Sequence, residues 1–166
     1  MNTASKLSLA LLALTLVGTS VAQAQTANIN ATATVQTPLT LAGQADLAFA
    51  AVFPGVVKTV LSTDPGAGRF QISGQASAGI NVSFTLPTNL TSGANNLPIG
   101  TFTGGQFATN TQASQTALVP TAPTVTAIGA GGTLFIWLGA TVTPAFGQVA
   151  GAYTAPITMT VSYTGS

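Results

Sequence analysis

The chain has 166 residues but only three cations and two carboxylates, and it contains no His, Cys or Glu. Charged residues make up 3% of it, against about 25% in an ordinary soluble domain. Zinc sites of the usual kind, nucleophile–base dyads and general acid–base pairs therefore lack their residues. Lys6, Lys58 and Arg69 are too few for a nucleic-acid footprint, and 46% hydrophobic residues is not the composition of a disordered chain. The expectation is a protein that is not an enzyme and carries no cofactor.

In chain order, Lys6 precedes an apolar run over 7–17, broken by Gly18, Thr19 and Ser20, and Ala22-Gln23-Ala24 supplies small residues at the cleavage positions. This is a secretory signal pattern over 1–24, in the style of a bacterial envelope protein. The run falls short of the roughly 20 apolar residues a membrane span needs. The mature chain, 25–166, is expected to have no transmembrane segment. It is read as a single domain, secreted through the inner membrane to the cell surface, the periplasm or the medium. Its charges, Lys58 and Arg69 against Asp46 and Asp64, cancel.

The mature chain reads as strands. Ala27, Ile29, Ala31, Ala33 and Val35 alternate with polar residues, as do Ile80, Val82, Phe84 and Leu86, and Ile157, Met159, Val161 and Tyr163 near the end. Period-two alternation with β-branched residues is the strand signature. Shorter candidates lie at 47–53, 56–61, 70–73, 97–103, 124–128 and 134–142. Turns are expected at Pro54-Gly55, Asp64-Pro65-Gly66, Ser92-Gly93, Gly104-Gly105 and Gly131-Gly132. The polar stretch 104–123 reads as a long loop or a poorly ordered edge. Eight or nine short strands without helices give an all-β, immunoglobulin-like antiparallel sandwich.

The candidate sites are few. Gly66-Ala67-Gly68 and 129–132 lack the helix and Lys of a phosphate loop and read as turns. Asp46 and Asp64 are too isolated for calcium, which takes six to eight oxygen ligands. Asn30, Asn81 and Asn89 open Asn-x-Ser/Thr triplets, which matter only in a glycosylating host. Phe135 and Trp137 point the same way in the most apolar run of the mature chain. They belong either to a strand covered on both faces or to an aromatic contact with a partner.

The two ends of the mature chain carry a resemblance. An alternating segment at 25–36 opens it, and Ala150-Gly151-Ala152-Tyr153 followed by the 157–163 run closes it with a near-terminal Tyr. Pro38-Leu39-Thr40-Leu41 and Asp46-Leu47-Ala48-Phe49 resemble the early part of such domains. The layout resembles bacterial chaperone–usher pilins, their archaic relatives in particular. The whole mature chain also looks like a family of secreted bacterial β-sandwich domains of unassigned function. It lacks the early Cys pair of many pilins.

The resemblance implies a fibre subunit that self-associates by strand donation, with a periplasmic chaperone and an outer-membrane usher as partners. Ala27, Ile29, Ala31, Ala33 and Val35 would be donated side chains, and Ile157, Met159, Val161 and Tyr163 would line the receiving groove. Two alternatives stay open: the 25–36 segment completing its own domain, and a monomeric binding module that contacts a glycan or surface through 104–123. With no His, Cys or Glu present, thermal stability of the mature chain should stay nearly level between about pH 5 and pH 9. Melting curves across that range check it.

Overall fold

The computed structural model describes residues 24–165, so the signal pattern over 1–24, apart from its last residue, lies outside the described residues. The chain divides into two units, Met1–Thr34 and Val35–Ser166. In the first, residues 24–34 are exposed and form no strand. The second holds ten strands and one turn of 3-10 helix: β1 Thr40–Ala45, β2 Lys58–Val60, β3 Gly68–Ser73, β4 Gly79–Thr85 and β5 Asn89–Ser92, then β6 Asn95–Phe107, the helix Gln112–Ser114, β7 Thr116–Leu118, β8 Thr124–Ala127, β9 Thr133–Val142 and β10 Thr158–Tyr163. Among the described residues no helix is long and apolar enough to cross a membrane.

The strands form an all-β antiparallel sandwich of unequal sheets. The larger runs β1-β3-β9-β6-β5, with β2 also on β9 and β7 also on β6; the smaller is β10-β4-β8. Alternation turns one face of each strand inward. Ile72, Leu134 and Ile136 from the larger sheet therefore meet Ile80, Val82 and Met159 from the smaller in one buried cluster. A second cluster, with Phe49, Val60, Leu97, Ile99 and Val142, fills the end of the sandwich where β9 finishes.

The alternating strand read at 25–36 is not formed, and three expectations fail locally in the rest of the chain. The strand expected at 47–53 is irregular backbone with Ala50 at φ 53°. Leu47 and Phe49 alternate inward because they plug the second cluster, not because they join a ladder. Gly104-Gly105 is no turn: β6 runs through it, paired with Leu138 and Trp137 of β9 and with Leu118 and Ala117 of β7. The stretch 104–123 accordingly holds the end of β6, the 3-10 turn and β7. Gly104 is constrained there, because a Cβ would lie 2.8 Å from the Leu118 carbonyl oxygen and 2.9 Å from Pro120, whereas one at Gly105 would have to displace the Gln115 side chain.

Replacing Ile136, fully buried between the sheets, by Ala should cost about 2–5 kcal/mol. The same trimming at exposed Val125 should stay within about 0.5 kcal/mol. Urea unfolding of the two variants separates them.

Candidate functional site: an open groove between the sheets

The smaller sheet ends too soon. β1, at the edge of the larger sheet, pairs Leu41 with Ile72 and Gly43 with Phe70. Directly paired residues share a face, and Ile72 points into the core, so Leu41 and Gly43 point inward too. Yet Leu41 keeps 42% of its surface exposed, and every residue of β1 is exposed. No strand of the smaller sheet lies opposite to cover them.

The edge facing this gap is β10. It pairs with β4 from Thr158↔Thr85 to Tyr163↔Ile80 and, among the described residues, with no other strand. The Thr164 N–H donates to the Gly79 carbonyl at 3.1 Å. Along an antiparallel strand the direction of main-chain hydrogen bonding alternates. Ser162, Thr160 and Thr158 therefore face β4, while the N–H and C=O groups of Met159, Val161 and Tyr163 turn to the free edge. Their side chains line the core side of the gap, Met159 buried and Val161 and Tyr163 half-buried.

Towards the Ile157 end the gap opens into a cleft of about 1140 Å³, bounded by β1 and 46–54 on one side and 148–157 on the other. Phe49, Leu97, Ile99 and Val142 form its floor and Ile157 its wall. Of the four residues expected in a receiving groove, Ile157 lines this cleft, and the other three border the gap along β10.

Two tyrosines fix the groove's ends. The Tyr163 hydroxyl donates to the Thr37 carbonyl and accepts from the Gln75 N–H, both at 2.7 Å. It thereby ties β10 to the segment entering β1. The Gln75 side-chain carbonyl takes the Thr37 hydroxyl at 3.1 Å. Tyr153 donates to the Val149 carbonyl and accepts from the Gln148 amide, both at 2.7 Å, holding the far wall. The near-terminal Tyr was legible in the sequence; its bond to Thr37, 126 residues away, was not.

The segment proposed as donor lies apart from any ladder: Ala27, Ile29, Ala31, Ala33 and Val35 are exposed and in no strand, with Ile29 and Val35 each 95% exposed. The aromatic pair faces the other way, out of the larger sheet, with ring centroids 6.1 Å apart. Phe135 is half-buried, but Trp137 is only 1% exposed, so its indole is enclosed by this chain's own packing. Around it the Gln112 and Gln115 amides donate to the Ser62 carbonyl at 2.8 and 3.0 Å, and Gln112 also reaches the Asp64 carbonyl at 2.8 Å. Asp64 itself closes the 61–64 turn, its carboxylate accepting from the Leu61 N–H at 2.8 Å.

No protein-family model matches the chain, and no curated protein matches it.

Changing Tyr163 to Phe should lower stability by about 1 kcal/mol, the low end of the range because Thr37 is exposed and water replaces one bond. Denaturant unfolding measures the loss, and faster amide exchange at Gln75 localises it.

Proposed function

We propose that the chain is a structural subunit of a bacterial surface fibre, without enzymatic activity, assembled by β-strand donation. The observation that carries this reading is the free edge of β10 beside an uncovered β1. The shape left between them is that of one missing strand, and an extended peptide added at a sheet edge is an established mode of recognition. The occupant is the 25–36 segment of another copy. Its alternating Ala27, Ile29, Ala31, Ala33 and Val35 suit a groove that has one apolar side, and its main chain answers the open groups of Met159, Val161 and Tyr163.

Magnitudes support the pairing. Burying Ile29 and Val35 contributes about 1.5–3 kcal/mol each, and each main-chain bond about 0.5–1.5 kcal/mol. Together these rival the whole stability of a typical domain, about 5–15 kcal/mol. Secretion and a place at the cell surface belong to the same proposal, as do a periplasmic chaperone that shields the open groove and an outer-membrane usher. A monomeric module binding a glycan through 104–123 has less support, because the Gln112 and Gln115 amides already serve main-chain carbonyls of the same chain.

Deleting 25–36 should give a monomer that cannot polymerise, while a synthetic 25–36 peptide should raise its melting temperature by several degrees. The undeleted mature chain should form ladders resistant to SDS. A full-length product that stays monomeric, with a groove indifferent to the peptide, contradicts the reading.

A further inference from the structure

Strand directions give the domain two distinct poles. One carries Thr37, the end of β10 at Tyr163 and the turns where the Gly74 N–H meets the Gly132 carbonyl at 3.0 Å and the Ser77 N–H meets the Gly129 carbonyl at 3.4 Å. The other carries 45–57 and 143–157. β9 runs from the first to the second over ten residues, about 30 Å at the usual rise per residue.

The 25–36 segment is rooted at the first pole, because Thr37 is pinned there by Tyr163 and Gln75. Val35 is two residues from that anchor, so it can lie at most about 7 Å away. Whichever end of a neighbour's groove receives Val35, the donating subunit's Thr37 pole must therefore press against that end. A donor parallel to β10 brings Val35 to the acceptor's own Thr37 pole, where the acceptor's extension leaves. An antiparallel donor brings it to the opposite pole, which is free of that conflict, and antiparallel pairing is also slightly the more stable.

That opposite pole is unusually apolar. Phe146 is 94% and Phe53 66% exposed, and Val56, Val57 and Val149 are exposed around them. The residues are held firmly. The Val56 N–H donates to the Phe53 carbonyl at 3.1 Å, and the Gly55 and Gln148 N–H groups both donate to the Ala145 carbonyl at 3.0 Å. Gly55 has φ +71°, and a Cβ there would meet the Phe146 ring at 2.6 Å. Pro54, Pro144 and Val149 of this rim also line the cleft, so rim and groove form one continuous surface. Contiguous exposed apolar surface on a soluble domain marks an interaction site.

We infer that this rim is a second subunit interface, which seats the Thr37 pole of the copy whose strand fills the groove. The contact is head-to-tail, so it does not close on itself and propagates a filament. The inference rests on the strand-donation reading and adds its direction and a second contact.

The chain has no Cys, so an engineered pair reports this geometry alone. Ala76→Cys, beside the Thr37 anchor, and Phe146→Cys lie at opposite poles, about 30 Å apart by the strand rise. That is far beyond the roughly 7 Å limit for a disulfide within one chain. Oxidising the double variant should give covalent multimers that survive boiling and vanish with reductant, whereas Phe146→Cys alone stops at dimers. The multimers should be lost when 25–36 is deleted and reduced several-fold when Phe53→Ser is added. An SDS-resistant ladder in unboiled samples without covalent multimers overturns the pole-to-rim contact and leaves donation standing. Neither ladder overturns both, and covalent multimers that persist without 25–36 overturn the link between them.

Discussion

An antiparallel strand turns its main-chain donors and acceptors alternately to its two sides, and at β10 only one side is answered. β4 satisfies Thr158, Thr160 and Ser162, while Met159, Val161 and Tyr163 turn the same groups towards an open groove. Water can serve them there, but water cannot serve the apolar wall across the gap. β1 holds Leu41 over that gap with 42% of its surface exposed. The groove thus asks for two things at once, main-chain pairing on one side and apolar contact on the other. An extended peptide with alternating apolar residues meets both, and a compact ligand meets only the second. This is why the cleft is read as a strand site and not as a pocket for a small molecule.

Charge sharpens the point. Proteins usually protect a sheet edge with Lys, with an inward-pointing charge or with Pro. Neither β1 nor β10 contains any of these, and the nearest charges are Lys58 in β2, Arg69 in β3 and Asp46 just after β1. Arg69 is engaged with Asn110 at 3.1 Å. The solvent face of β10 is Thr158, Thr160 and Ser162, which are polar enough for solubility and neutral enough not to repel a second chain. Edges left open in this way are a hazard in a free monomer and an asset in an assembling one.

Where both faces of a strand have definite environments, the sequence declares it. β4 and β10 alternate strictly because each has one buried and one wet face, and β9 is apolar from Leu134 to Ala140 because Trp137 is enclosed on the outer face as Ile136 is on the inner. β1 was hidden for the opposite reason. With little to cover, it needs no large side chains, and Thr-Leu-Ala-Gly-Gln-Ala carries one inward Leu. The 47–53 alternation misled because an irregular plug obeys the same inside–outside rule as a strand. The groove was legible only through its neighbours: the alternating runs at 25–36 and 157–163 and the aromatic Tyr163. Its volume depends on a strand that is missing, and no residue encodes an absence.

The Tyr163–Thr37 bond joins the two halves of the proposed assembly within one subunit. In that proposal Thr37 roots the extension that would fill the next groove, while Tyr163 ends the strand that borders the chain's own groove. A pull on the extension therefore reaches β10 through a single hydroxyl. It also loads β1 along its length, against the ladder from Thr40↔Ser73 to Ala45↔Arg69. A ladder loaded along the strands must break its bonds together, whereas one peeled from an end breaks them singly. In a filament of the proposed kind, tension would pass from donor root to acceptor edge through this ladder and the Tyr163 hydroxyl. A chain with almost no ionisable side chains would, in that proposal, obtain mechanical continuity from packing, main-chain pairing and one tyrosine hydroxyl.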